Sequence, residues 1–264
     1  MYDQETILKE IKTEWAGKTV HFAKETDSTN EWIKRLSQDG ADHGALAVAE
    51  FQSAGKGRLG RKWQAEEGSS VMMSLLLKPD FSPQFASMLT IVMGLSIAQA
   101  IEKMNVPVSI KWPNDVVASR KKICGILTEM RLDGEKIRDV VIGVGLNVNQ
   151  EEISEDLQDK ATSLFLETGK KYNREVLIGL IMAEFEKNYE TFVQTCDLSG
   201  LTEEYHRLLA NKNQSVRILD KNNPWEGEAV GINAQGELLV KDQKGQTNAV
   251  RAGEVSVRGL YSYV

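Results

Sequence analysis

Short apolar runs with the period of a β-strand dominate the first 150 residues of the chain. Alternation and continuous apolar stretches predict seven strands there, at Thr19–Phe22, Ala45–Phe51, Val71–Leu77, Val108–Trp112, Val116–Ala118, Ile123–Arg131 and Val140–Asn149. Short polar turns separate the last three runs, which is typical of hairpins. Neighbouring hairpin strands indicate an α+β chain rather than a regular alternation of strands and helices.

Apolar residues at helical spacing predict helices before, between and after these strands. The predicted helices are Ile7–Trp15, a segment from Asp27 to about Ser37, a long segment after Asn173, and Leu201–Ala210. Ser28 and Glu31 have the spacing of a capping box at the start of the second helix. From Gln150 to Asn173 the chain is acidic and predicts a loop.

The pattern changes after residue 214, where apolar runs become short and closely spaced. Five β-patterned runs fill about fifty residues, at Val216–Leu219, Glu228–Ile232, Leu238–Lys241, Ala249–Arg251 and Glu254–Val257. Such runs predict a small barrel. The expected fold is therefore α+β: a mixed β-sheet with flanking helices over residues 1–211, and a small C-terminal SH3-like β-barrel over residues 212–264.

One stretch without charge, Phe81–Ile101, is long enough to cross a bilayer. It contains seven polar or proline positions, however, and Ser82-Pro83 is typical of a helix start. These features favour a helix buried against a sheet over a membrane span.

The 264-residue chain carries 38 acidic and 32 basic residues, for a formal net charge of -6 at pH 7. This balance gives no general attraction to nucleic acid or anionic membranes, so anions would bind only where positive charge is concentrated. Cys124 and Cys196 are far apart and lack the spacing of a zinc site or a disulfide framework. We therefore expect a reducing, cytoplasmic location.

A basic, glycine-rich loop follows the second predicted strand. Residues 52–63 contain four cations and three glycines but no acid. Glycines let the backbone turn tightly and direct N–H groups at a ligand, which suits a phosphate or a carboxylate. Trp63 adds a planar ring that needs a buried or stacked position, and such a ring beside an anion site is what a nucleotide requires.

Other interpretations of this loop stay open when it is considered alone. Gly55–Gly60 fits GxGxxG, but a dinucleotide fingerprint opens an apolar helix, whereas Arg61-Lys62-Trp63-Gln64 follows here. A P-loop is excluded, because the loop has no Gly-Lys-Ser/Thr sequence. A solvated basic turn is the remaining alternative, and it is common on protein surfaces.

Three further segments combine polar side chains with glycines or a rigid proline. They are Lys111-Trp112-Pro113-Asn114-Asp115, the run that begins at Lys122 and contains Gly125, and Gly143-Val144-Gly145-Leu146-Asn147. Glycine within a strand costs stability and suggests close approach by a ligand or another backbone. The alternatives are an ordinary turn at Asn114-Asp115, an exposed hairpin lysine at 122 and a β-bulge at the two glycines.

Taken in order along the chain, these segments resemble the biotin–protein ligase family. The matching pieces are Asp27–Asn30, Gln52 to Trp63, Lys111–Asp115, Lys122–Leu127, Gly143–Asn147 and the C-terminal Gly253–Arg258. Each motif alone is weak or moderate, whereas the ordered set is specific. Lys56 is a departure, because arginine is common at that position and lysine lacks its planar fork.

The resemblance implies an enzyme that uses ATP to activate biotin as biotinyl-5'-AMP and transfers it to a lysine of a biotin carboxyl carrier protein. The implied biotin-binding residues are Ser28, Thr29, Asn30, Gln52, Lys56, Gly57, Arg58, Lys122 and Gly125. The implied nucleotide-binding residues are Arg58, Arg61, Trp63, Asn114 and Asn147. The implied catalytic residues are Lys122, Arg58, Lys111 and Asp115. Mg²⁺ is the expected metal, with Asp115 as its ligand.

Some members of this family carry an N-terminal DNA-binding domain and repress genes. Only 26 residues precede Asp27, so we expect a ligase without repressor activity and without nucleic-acid or membrane partners, while a homodimer stays open. A lipoate or octanoate ligase is the nearest alternative, although its substrates lack the ureido group of biotin. A non-catalytic biotin sensor is a second alternative, but it would not need Lys111, Asn114, Asp115 and Lys122 together. A nucleic-acid-binding barrel is a third, but residues 215–264 show no stripe of basic and aromatic residues.

Overall fold

A computed structural model describes residues 3–219, 224–252, 256–259 and 264. In chain order its elements are α1 (Gln4–Glu10), β1 (Val20–Thr26), α2 (Thr29–Gln38), β2 (Leu46–Gln52), β3 (Ser70–Leu77), α3 (Leu89–Glu102), β4 (Ser109–Lys111), β5 (Asp115–Ala118), β6 (Lys121–Asp133), β7 (Lys136–Asn147), α4 (Leu164–Thr168), α5 (Arg174–Thr195), α6 (Thr202–Leu208), β8 (Gln214–Leu219), β9 (Trp225–Ile232), β10 (Leu238–Lys241), β11 (Thr247–Val250) and β12 (Ser256–Gly259). Short 3₁₀ turns cover Arg58–Gly60 and Pro83–Met88.

The larger sheet has seven strands in the order β1-β2-β3-β7-β6-β5-β4. Strands β1 and β2 are parallel, and the remaining neighbours are antiparallel. Every residue of β3 is buried, which explains why its sequence is a continuous apolar run rather than an alternating one. The predicted mixed sheet with flanking helices is confirmed.

Helices cover both faces of this sheet. On one face α3 packs against α5 and against β6, so the uncharged stretch of the sequence lies in the main core. The segment Pro83–Glu102 is long and apolar enough to cross a membrane by length and composition, and 72% of its most apolar window is buried within this fold. On the other face α2 places Ile33 against Ala47, Leu76 and Val141. The prediction of a buried helix is confirmed.

The smaller sheet has five antiparallel strands in the order β11-β10-β9-β8-β12. It begins at Gln214 and agrees with the predicted SH3-like C-terminal fold. Residues 254 and 255 of the predicted last strand lie outside the described residues. The division at residues 211 and 212 stays a prediction.

Three local predictions were wrong. The first helix ends at Glu10 rather than Trp15, since the Glu186 carboxylate accepts the backbone N–H groups of residues 14, 15 and 16 at 2.7, 2.7 and 2.8 Å. The acidic loop contains α4, begun by Ser163, whose Oγ accepts the Leu166 N–H. Ser28 makes no capping hydrogen bond at the start of α2.

Candidate functional site

A cleft lies between the first turn of α2, the glycine loop and strands β5, β6 and β7. Every residue that the sequence predicted for the site lines it except Asn147. Those that line it are Ser28, Thr29, Asn30, Gln52, Lys56, Gly57, Arg58, Arg61, Trp63, Lys111, Asn114, Asp115, Lys122 and Gly125. The structure thus brings together residues that are as far apart in sequence as 28 and 125.

Glycines of β6 and β7 form the floor of the cleft. Gly143 pairs with residue 74 of β3 and residue 127 of β6, and a Cβ at Gly143 would lie 2.0 Å from the Asn30 Oδ1. The ladder is regular at these glycines, so the predicted alternative of a β-bulge does not apply. Only glycine leaves room for the start of α2 to lie directly on the sheet.

A second glycine pair supports Trp63. Gly145 and Gly125 are opposite each other in β7 and β6, and a Cβ at Gly145 would lie 2.3 Å from the Trp63 Cε2. A Cβ at Gly125 would meet the Lys122 Nζ at 2.8 Å. The indole and the Lys122 ammonium therefore rest on bare backbone, with the ammonium 5.8 Å from the ring centre.

The first turn of α2 carries a connected set of polar groups, which we call the polar cradle (Thr29, Asn30, Gln52 and Ser74). Thr29 donates its N–H and its Oγ–H to the Gln52 Oε1 at 2.7 and 3.0 Å. The Ser74 hydroxyl lies 2.6 Å from the Asn30 Oδ1 and 2.8 Å from the Thr29 Oγ1. A hydroxyl has one hydrogen to donate, so Ser74 leaves acceptor capacity on one of these two oxygens.

Charged residues outside the cradle fix its orientation through hydrogen bonds to Asn30 and Ser28. The Asn30 Nδ2 donates to the Glu129 carboxylate at 2.7 Å, and Glu129 is also paired with Lys34 at 2.8 Å. The Asp27 carboxylate accepts the Ser28 N–H at 2.7 Å, and the Arg35 guanidinium beside it holds the pKa of Asp27 well below its usual range. The orientation of the α2 N-terminus is therefore set by two ion pairs, Glu129 with Lys34 and Asp27 with Arg35.

Two pairs of opposite polarity stand on the other side of the cleft. The Lys122 Nζ lies 2.6 Å from the Asp115 Oδ1, and the Arg58 Nη1 donates to the Asn114 Oδ1 at 2.6 Å. Burial lowers the pKa of Arg58, which the nearby Asp115 carboxylate partly offsets. The ordinary pKa of a guanidinium is so high that Arg58 stays charged at neutral pH despite this shift.

The glycine loop is an ordered hairpin-like excursion. The Gly57 N–H donates to the Arg61 carbonyl at 2.8 Å, and the Trp63 N–H donates to the Gly55 carbonyl at 2.9 Å. At the tip Leu59 has a φ of 58° and is 73% exposed. Lys56 leaves the loop to pair with Glu31 of α2 at 2.7 Å, so one cation holds the loop to the helix that carries the cradle.

Comparison with known proteins agrees with this geometry. The Biotin/lipoate A/B protein ligase family matches residues 22–147, and the Biotin protein ligase C terminal domain matches residues 213–258. The bifunctional ligase/repressor BirA of Bacillus subtilis is 37% identical over 89% of this chain and 73% of its own length. The biotin–[acetyl-CoA-carboxylase] ligase of Mycobacterium tuberculosis is 31% identical over 88% of this chain and 86% of its own.

This chain belongs to the biotin protein ligase family. The biotin protein ligase of Aquifex aeolicus, solved in complex with biotin and ATP, superimposes with a TM-score of 0.79 and is 32% identical over 92% of this chain and 99% of that one. The chain is therefore a biotin–protein ligase.

Asn147 is the predicted residue that lies outside the cleft of the ligase. Its Nδ2 donates to the Thr162 carbonyl and its Oδ1 accepts from the Gln150 Nε2, each at 3.0 Å. Both ends of the amide are thus used inside the protein. Contact between Asn147 and the adenine edge stays a prediction.

The sequence analysis missed two residues that shape the cleft, Ser74 and Glu129. Only Ser74 could have been identified from the sequence. Ser74 interrupts the apolar run of β3 and is fully buried, and a buried hydroxyl in a strand interior needs a partner. Glu129 belongs to an alternating strand, where an acidic residue is ordinary. Its role depends on the approach of Asn30 and Lys34 from α2, which no local pattern encodes.

Asp115 is the acidic residue that lines the cleft. Among the described residues no group of three or more His, Cys, Asp or Glu side chains could hold a metal ion. Mg²⁺ is commonly bound by one or two carboxylates together with substrate phosphates, and Asp115 would supply one such carboxylate. Asp115 as a Mg²⁺ ligand stays a prediction.

Ser74→Ala tests the polar cradle of the ligase. We expect the Kd for biotin to rise by about 5- to 30-fold, since losing a buried hydrogen bond costs about 1 to 2 kcal/mol. Isothermal titration calorimetry with biotin alone measures this. Ser96→Ala is the matched control, because Ser96 is equally buried but bonds to Val92 and Asn188 in the core. Equal biotin affinity in both variants would remove Ser74 from the cradle.

Proposed function

We propose that this ligase first joins biotin and ATP into biotinyl-5'-AMP and then transfers the biotinyl group to a lysine of a biotin carboxyl carrier protein. The observation that carries the proposal is that the polar cradle opens into the same cleft as Arg58 and Lys122. The cradle offers donors and acceptors to a ureido ring. The cations face the end of the cleft where two anions have to meet.

In the first half-reaction a biotin carboxylate oxygen attacks the α-phosphorus of ATP, and pyrophosphate leaves. Two unit negative charges about 4 Å apart repel by roughly 4 kcal/mol at an effective dielectric constant of 20. Lys122 and Arg58 would neutralise the carboxylate and the α-phosphate. Lys111 and Arg61 would bind the departing pyrophosphate. Such fixed charges lower the barrier because they need no reorganisation during the reaction.

In the second half-reaction the acceptor lysine attacks the biotinyl carbonyl carbon, an amide forms, and AMP leaves with the electrons of the broken bond. A lysine with its ordinary pKa near 10.4 is almost wholly protonated at neutral pH, so its proton has to be accepted. Asp115 is the proposed acceptor, because its carboxylate lies in the cleft and bonds to Lys122 at 2.6 Å.

Mass spectrometry of the carrier tests this function. The ligase is incubated with biotin, ATP, Mg²⁺ and a purified biotin carboxyl carrier domain, and the carrier should gain the mass of one biotinyl group. A carrier with arginine in place of its acceptor lysine is the control and should gain none. Replacing biotin by lipoate should also leave the carrier unlabelled. An unlabelled carrier together with no pyrophosphate release would contradict the proposal.

We also propose that the ligase acts in the cytoplasm, uses ATP with Mg²⁺, and does not bind operator DNA, while self-association into a homodimer stays open. Both cysteines are free thiols, Cys124 in the core and Cys196 partly buried, which suits a reducing compartment. Titration of a labelled operator-like duplex with the ligase, with and without biotin and ATP, tests the DNA expectation. Tight, sequence-specific binding would overturn it.

A further inference from the structure

Trp112 stands between Lys111 and the Pro113-Asn114-Asp115 segment, and it contacts the C-terminal fold. The side chain is 2% exposed. Its Nε1–H donates to the carbonyl of Gly236 at 2.9 Å, across 124 residues of sequence. A buried indole N–H needs a partner, and here the partner lies in the turn between β9 and β10.

That turn, residues 233–237, packs against the larger fold. Asn233 closes it by accepting the N–H groups of residues 235 and 237 on its side chain at 3.1 and 2.9 Å. Gly236 has a φ of +76°, and a Cβ there would lie 2.7 Å from the Ile91 Cδ1 and 3.0 Å from the Leu198 Cδ1. The turn is therefore seated against α3, and glycine is required for both its conformation and its fit.

The segment that connects the two folds holds the same strand end. The Ala210 N–H donates to the Ile110 carbonyl at 2.9 Å, and the Trp112 N–H donates to the Asn211 Oδ1 at 3.2 Å. Asn211 is fully buried. The end of β4 is thus held in two ways: its main chain bonds to residues 210 and 211, and the Trp112 indole bonds to Gly236.

We propose that Trp112 is a positioning residue through which the C-terminal fold sets the geometry of adenylation. The Gly236 carbonyl fixes the indole, the indole fixes the 113–115 segment, and that segment presents Asn114 to Arg58 and Asp115 to Lys122. The inference rests on the proposed adenylation. Misplacing reacting groups by about 1 Å costs on the order of 100-fold in rate, so a remote hydrogen bond can control the chemistry.

The polar cradle does not depend on this support. It is built on α2, β2 and β3, with further bonds from Asn30 to Leu127 and Glu129 of β6, and none of these hydrogen bonds involves Trp112. Loss of the Trp112 contact should therefore affect biotin affinity and adenylation rate differently, whereas a general destabilisation of the fold would lower both. Biotin affinity should stay, while the adenylation rate falls.

Trp112→Phe removes the donor and keeps an aromatic ring. In the full-length protein we expect kcat for biotin-dependent pyrophosphate exchange to fall by about 10- to 100-fold, with the Kd for biotin alone within about twofold of the unsubstituted enzyme. Gly236→Ala, which changes the acceptor side of the contact, should also lower kcat for exchange and leave the Kd for biotin almost unchanged. The double variant should be no slower than the slower single variant, since both substitutions break one interaction.

Gly245→Ala is the matched control, because Gly245 also has a positive φ, of +82°, in a turn of the C-terminal fold, but its nearest contact would be Lys241 at 3.8 Å. Its exchange rate should equal that of the unsubstituted enzyme. Unchanged exchange in Trp112→Phe would overturn the inference, as would equal losses of exchange and biotin affinity. Absence of exchange in the unsubstituted enzyme would instead refute the proposed adenylation.

Discussion

Replacing Lys122 by alanine should lower the rate of biotin-dependent pyrophosphate exchange by about 100- to 1,000-fold, the usual effect of removing one group that stabilises developing charge. The Lys122 Nζ is the cation that rests on the glycine floor beside Trp63, and the substitution also removes the ion pair between Lys122 and Asp115. Carrier labelling should fall at least as much. Radiolabelled pyrophosphate exchange measures the first half-reaction, and carrier mass measures the complete reaction.

Lys121→Ala is the control for this substitution. Lys121 precedes Lys122 in β6, but its ammonium donates to the Gln158 carbonyl, away from the cleft. The same charge is thus removed from the neighbouring residue without touching the site. Lys121→Ala should leave both rates unchanged. Near-normal exchange and labelling in Lys122→Ala would exclude Lys122 from the mechanism.

The largest effect on stability is expected from Glu50→Gln. Glu50 is fully buried in β2, and its carboxylate accepts two hydrogen bonds from Arg174 at the start of α5, at 2.8 and 3.1 Å. Removing one partner of a buried ion pair costs the surviving charge that interaction, in this case the pair between Arg174 and Glu50. The free energy of unfolding should therefore fall by about 3 to 5 kcal/mol. Urea unfolding followed by circular dichroism measures the change.

Glu151→Gln provides the comparison for this buried pair. Glu151 pairs with Lys171 at 2.8 Å, but the two side chains are 60% and 68% exposed. Exposed pairs contribute about 0 to 1 kcal/mol, so this variant should unfold almost like the unsubstituted protein. If Glu50→Gln proves as stable as Glu151→Gln, the buried pair does not hold α5 to the sheet.

The fold was predictable from the sequence where a single pattern of apolar residues extends over a whole helix or strand. The continuous apolar run of β3 and the helical spacing of α5 each describe a surface that has to be buried, and burial is the main driving force of folding. The same holds for most of the cleft, because the motifs that carry its polar groups are local in the sequence.

What could not be predicted depends on partners from distant segments. The first helix ends early because a carboxylate 170 residues away, on Glu186, captures its next backbone groups. Glu31 has the spacing of a capping box, yet its carboxylate binds Lys34 and Lys56 instead. The Asn147 amide bonds to Thr162 and Gln150, which the sequence did not indicate, while its contact with the adenine edge stays a prediction. In each case several partners were chemically possible, and the tertiary fold selected one.

The glycine floor also determines how the cleft can change under selection. At Gly125, Gly143 and Gly145 the floor is main chain, and the side chains of Lys122, Asn30 and Trp63 rest on it. Substitution of these glycines themselves would drive a Cβ into Lys122, Asn30 or Trp63. An inhibitor bound in this cleft would therefore meet few routes to resistance at these three positions, because each substitution would also displace Lys122, Asn30 or Trp63.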